Sequence, residues 1–314
     1  MPTLEATRTS TKISVKNVLF ATDFSEASRQ ALPYAMAICR HYGSTLHALH
    51  VIPEMVYPLA PRMMAPIAAT PTYEAVRQEA QGELRRMAIR LGHIPNHSHI
   101  RTGSVWQAVS EIILKENIDL LIIGTHGRTG VGKLLVGSVA EEIFRQAPCP
   151  VLTVGPNVSG KARLPMLGGE SLNVAPIYVE IGEILYATDF RSKTPAAAAF
   201  AVSLAQEFQS HLTLLHVIEK HEDYGTPGPV DWTLSRLSEL VPDDADLWCS
   251  PEPVVKYGSP ADCILQTASE RSADLIVLGA RPADGHMGAA IHLPWATAHR
   301  VIAHAACPVL TVRG

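Results

Sequence analysis

At 314 residues the chain has room for about two domains. Apolar residues make up 47% of it and charged residues 18%, the balance of a core-forming chain rather than a disordered one. A formal net charge of -4 leaves no basic footprint for nucleic acid.

The opening stretch MPTLEATRTSTKISVK is polar and lacks the apolar core of a signal peptide. No run approaches the roughly 18 apolar residues of a membrane span. The five cysteines (Cys39, Cys149, Cys249, Cys263, Cys307) are scattered, odd in number and without a C-x-x-C. These features predict a cytoplasmic protein with reduced thiols. Cys149 and Cys307 each precede PVLTV and read as small core residues entering an apolar strand.

In chain order, short β-rich apolar runs predict strands at residues 17–22, 45–51, 97–102, 119–123 and 150–154. Helices are predicted over 26–42, 72–92, 104–117 and 138–147, with Ser25 as the first N-cap. Leu32, Ala35, Ile38 and Cys39 fall on one helical face, as do Trp106, Ile112 and Ile113. Residues 53–71, rich in Pro, Met and Ala, read as a crossover loop, with a lid or partner surface as the alternative. Uninterrupted apolar strands alternating with helices predict a parallel sheet covered on both faces.

The pattern then repeats. NVLFATDF from Asn17 returns as EILYATDF from Glu183, LHALHVI from Leu46 as LTLLHVI from Leu212, and CPVLTV closes both copies. A period this long is duplication of a whole domain rather than a solenoid repeat. The predicted organisation is a tail over 1–15, a first domain over 16–155, a turn-rich linker over 156–180 and a second domain over 181–314. Thr194-Pro195 supplies a helix start in the second copy.

The segment GTHGRTGVGKLLVGSV, residues 124–139, follows the fourth strand. Gly127-x4-Gly132-Lys133 approaches a P-loop, but Leu134 stands where a hydroxyl must hold Mg2+. A wider grid, Gly124-x2-Gly127-x9-Gly137-Ser138, uses the same glycines. Phosphate needs converging N–H donors without obstructing side chains, so the glycines are expected to allow positive φ and close backbone approach. Gly137-Ser138 opens a helix, whose free N–H groups and dipole favour an anion. A ligand-free strand-to-helix turn is the alternative reading.

ATDFS, LHVI, DLLIIGTHGRTG with LLVGSVAEEI, and CPVLTV resemble the universal stress protein family in its ATP-binding form. The resemblance implies two tandem doubly wound α/β domains. Each would be a five-stranded parallel sheet flanked by helices, like the adenine nucleotide α-hydrolases, paired as a pseudo-dimer. It implies ATP held by Ala21, Thr22, Asp23, Val51, Ile123, Gly124, His126, Gly127, Arg128, Gly137, Ser138 and Val139, with any Mg2+ arriving on the triphosphate. Asp23 with the backbone of Ala21 and Thr22 would hold the ribose and base region, and Val51 would present backbone groups to adenine. Helix capping is a competing role for Asp23.

The second copy lacks the cradle: Pro282 answers Gly127, while Trp295 and Ala296 answer Gly137 and Ser138. One ATP per chain is therefore expected. No catalytic set is recognisable, so the expected role is a stress-response regulator working by conformational or partner change. A slow ATPase or phosphotransferase and a nucleotide-free adaptor are the alternatives. Expected partners are an adenine nucleotide, the other domain of the chain, a second copy in a homodimer and a protein of unknown identity, with neither nucleic acid nor membrane. Among 14 histidines no H-E-x-x-H or zinc-type Cys/His array occurs, so no metal site is expected. His50 and His216, at the same strand position, read as hydrogen-bonded structural residues.

Overall fold

The computed structural model describes residues 13–54, 73–125, 137–158, 179–190, 196–219, 227–242, 245, 249–280 and 292–313. The first copy runs β1 (Asn17–Ala21), α1 (Glu26–Tyr42), β2 (Thr45–Ile52), α2 (Tyr73–Leu91), β3 (Asn96–Thr102), α3 (Val105–Lys115), β4 (Leu120–Gly124), α4 (Ser138–Gln146) and β5 (Val151–Val154). The second runs β6 (Glu183–Ala187), α5 (Ala196–Phe208), β7 (His211–Ile218), α6 (Pro227–Ser238), β8 (Pro251–Tyr257), α7 (Pro260–Glu270), β9 (Leu275–Ala280), α8 (His292–His304) and β10 (Val309–Arg313). The first-copy elements lie where the sequence periodicity places them, to within two or three residues at each end.

In the first copy the strand order is β3-β2-β1-β4-β5, with every pair parallel. Val18, Leu19 and Phe20 of β1 are wholly buried, as are Leu121 and Ile122 of β4. A strand buried on both faces needs helices on both sides, which is why these runs do not alternate in polarity. α1 begins where the Ser25 hydroxyl accepts the Ser28 N–H and ends at Gly43, left-handed at φ 66, whose N–H returns to Cys39 O. Leu32, Ala35, Ile38 and Cys39 are buried along it as the spacing predicts. Ile112 and Ile113 are buried on α3, with Trp106 half-exposed.

One compact unit contains β1 to β5, α1 to α4, α8 and most of β10. Within it β10 lies antiparallel to β5, Leu310 opposite Leu152. Thr153 Oγ1 donates to Val309 O at 2.9 Å, and Asn157 Nδ2 to Ala303 O at 3.2 Å. Gly155 has no room for a side chain, since a Cβ would stand 2.7 Å from the Ile302 carbonyl oxygen. The other unit contains β6 to β9 and α5 to α7, its strands ordered β9-β6-β7-β8 and all parallel. Ile13 belongs to this second unit, donating its N–H to Ser203 Oγ on α5 at 3.0 Å.

All five cysteines are buried and outside any disulfide, and burial pushes the Cys39 thiol up to about 12. The thiolate is the reactive form. Native protein at pH 8 is therefore expected to leave Cys39 unlabelled by iodoacetamide over hours. All five thiols should label within minutes in denaturant. Rapid native labelling of Cys39, read by peptide mass spectrometry, would contradict this packing.

Candidate functional site

The site is built at the carboxyl ends of β1, β2 and β4, where strand order reverses about β1 and α/β sheets bind ligands. Ala21 registers with Leu49 on one side and with Ile123 on the other, so the three chain segments leave the sheet together. Thr22 continues the ladder by donating its N–H to Leu49 O at 2.9 Å. Its hydroxyl accepts the Phe24 N–H at 3.0 Å and bonds the Ser28 hydroxyl at 2.9 Å. Asp23, half-exposed, accepts the Ser25 N–H on Oδ1 at 2.9 Å, so its carboxylate braces the turn into α1. Phe24 has φ 61, a left-handed conformation uncommon for an aromatic residue.

That strained turn is held from the neighbouring strand. His50 Nδ1 lies 2.8 Å from Thr22 O; a carbonyl only accepts, so Nδ1 carries the proton. The His50 ring stacks on Phe24 with centroids 4.4 Å apart. The second copy repeats the arrangement, with Phe190 at φ 55 and His216 Nδ1 2.8 Å from Thr188 O. The reading of both histidines as structural holds. The Phe brace has no local sequence signal, because its partner lies a full crossover away. Only its recurrence in both copies could have revealed it.

At the end of β4, Ile123 is buried and Gly124 meets α1. A Cβ on Gly124 would stand 2.7 Å from the Ala27 carbonyl carbon and oxygen and 2.8 Å from Ser28 N. Gly137 donates its N–H to Thr125 O at 2.9 Å, returning the chain from the 126–136 segment to the strand it left. It caps α4 at φ -60, ψ 144. The expectation of positive φ therefore fails at both positions, since neither Gly124 nor Gly137 adopts it. Here glycine is required by close approach rather than by backbone freedom. With a glycine cap, the first N–H groups of α4 have no side-chain acceptor from the capping residue. Ser138 and Val139 in that first turn are exposed. Val51 lies half-buried at the end of β2. His126, Gly127, Arg128 and the Gly132-Lys133 pair lie outside the described residues, as do Pro282, Thr194-Pro195, most of 53–71 and most of the linker.

At Gly279, the counterpart of Gly124, a Cβ would stand an ordinary 3.8 Å from Ala197 Cβ, while residues 193 and 194, which answer Ala27 and Ser28, lie outside the described residues. α8 begins at His292, so Trp295 and Ala296 are already helical where Gly137 and Ser138 form the cap and first residue of α4. The Arg236 guanidinium lies 4.6 Å over the Phe190 ring and 4.9 Å over Trp232, two cation–π contacts beside the turn that follows β6.

The family model described as "Universal stress protein family" matches residues 14–155 and again residues 180–313. The chain belongs to that family, twice over. A universal stress protein of Methanocaldococcus jannaschii is 29% identical over 139 residues, which is 44% of this chain and 81% of the relative. Universal stress protein A homolog 1 of Coxiella burnetii is 33% identical over 143 residues, 44% of this chain and 95% of its own. The crystal structure of a universal stress protein from Archaeoglobus fulgidus superposes with a TM-score of 0.67 at 19% identity, covering 96% of this chain and 98% of that one. The tandem universal stress protein fold is thus shared over nearly the full length. No helix among the described residues is long and apolar enough to cross a membrane.

Proposed function

We propose that this universal stress protein binds one adenine nucleotide, ATP, in its first copy and acts as a regulator of stress response through conformational or partner change. The observation that carries the reading is the junction of β4 with α4. Gly137 returns to Thr125 by a single hydrogen bond and opens a helix N-terminus at the sheet's switch point. In this reading the α4 N–H groups and the Ser138 hydroxyl take phosphate oxygens, alongside Gly127, His126 and Arg128. Asp23, Ala21 and Thr22 take the ribose region, Val51 the adenine edge, and Ile123, Gly124 and Val139 line the bed. Any Mg2+ enters with the triphosphate.

Regulation is preferred over catalysis because the polar groups beside β1 are committed to structure. Asp23 caps a turn, and His50 holds a carbonyl through its only neutral-state N–H. Both contacts hold the turn between β1 and α1. Denatured purified protein, examined by mass spectrometry, is expected to release ATP at one equivalent per chain. Calorimetry on stripped protein is expected to give the same stoichiometry without multiple turnovers. Two equivalents, none, or sustained phosphate release would each overturn the reading.

A further inference from the structure

A second cluster lies at the amino ends of the first-copy strands, away from the glycine loop. β2 and β3 pair with His47 opposite His97 and Leu49 opposite His99. Side chains alternate along strands, so His47, His97 and His99 share one face. α3 packs against the same strands and delivers Glu116, its C-cap residue. His47 Nδ1 lies 3.2 Å from His99 Nε2, with the rings stacked at 5.5 Å. One ligand atom each from His47, His99 and Glu116 falls within 4.8 Å of the other two.

His47 is only 3% exposed and turns its Nδ1 toward His99, while its Nε2 has no hydrogen-bond partner among the described residues. The second copy shows how the same place is filled without these groups. Thr213, Glu252, Val254 and Arg271 stand at the positions of His47, His97, His99 and Glu116. There Arg271 pairs with Glu252. The first copy instead has an anion, Glu116, at the helix cap and faces it with imidazoles. Lys115, 3.6 Å from Glu116, is largely solvated and screened.

We propose that His47, His99 and Glu116 bind one zinc ion per chain in the first copy. Zinc suits two imidazoles and a carboxylate at about 2.0–2.2 Å each. Tetrahedral bonds of that length separate two nitrogens by roughly 3.3 Å, so the histidine pair is already at the right spacing. The exposed His97, its ring 5.3 Å from that of His47, or a water completes the fourth position.

The test is zinc titration of chelator-stripped full-length protein against a chromophoric competitor, with thermal melting alongside. Wild type is expected to bind one equivalent and to gain about 5–10 °C in Tm at a hundredfold excess over Kd. His99→Ala should weaken binding at least tenfold, the scale of lost metal-site contacts. Glu116→Gln keeps the side-chain shape and should do the same, so a folding defect in the first variant does not decide the matter. His93→Ala should change nothing. Cobalt substitution should show tetrahedral visible bands that vanish in Glu116→Gln. The proposal is overturned by the absence of stoichiometric zinc, or by affinity unchanged within twofold in both His99→Ala and Glu116→Gln.

Discussion

Gly137→Trp is expected to abolish ATP binding while leaving the fold intact. Gly137 sits at φ -60, ψ 144, a conformation any residue adopts, so the backbone does not resist substitution. A Cβ there lies 3.0 Å from Thr125 O, a contact relieved by a shift of a few tenths of an ångström. The rest of an indole would then stand in front of the α4 N-terminus, in the place proposed for phosphate. Hydrogen bonds to charged groups contribute about 1.5–3 kcal/mol each. Loss of two corresponds to at least roughly a hundredfold weaker binding. Gly137→Ala should lose far less, because it adds only the Cβ. Calorimetry on both variants, with circular dichroism as the folding control, gives the result. Equal affinities for wild type and Gly137→Trp would dismiss the site.

Gly124→Ala is expected to lower stability. The new Cβ on residue 124 would meet backbone atoms of Ala27 and Ser28 at 2.7 and 2.8 Å, so no rotamer change relieves it. α1 must retreat from β4, and overpacking of this kind costs about 1–3 kcal/mol. With backbone as the obstacle, the upper end is expected, a fall of about 5–10 °C in Tm. Nucleotide affinity should fall too, since the start of α1 and the end of β4 form adjoining walls of the proposed site. An unchanged Tm and an unchanged urea midpoint in Gly124→Ala would show that close approach is not why residue 124 is glycine.

Much of this architecture is readable before any coordinates. Strand and helix placement follows from local periodicity, and the duplication supplies two readings of each element. The N-cap at Ser25 and the buried face of α1 are equally local. What escapes the sequence is what depends on register and reach. The glycine at 124 looks like a loop residue released for positive φ, whereas its role is set by a helix packed almost a hundred residues upstream. Aligning the copies on CPVLTV places Trp295 at the phosphate position. That Trp295 already lies within α8 is something alignment alone does not contain. His47 and His99 are separated by 52 residues and meet only because β2 and β3 are in register. A search for short metal spacings passes over them.

The contact between β5 and β10 imposes an order of events on the growing chain. Thr153 and its acceptor Val309 are 156 residues apart. At about 5–20 residues per second, synthesis separates their emergence by roughly 8–30 s. Through that interval β5 offers an unmatched edge, the kind that templates pairing with foreign strands. Translation pauses within the second copy would lengthen this exposure, and faster elongation would shorten it. The later half of the chain thus serves the earlier half as a delayed escort, supplied from the same message.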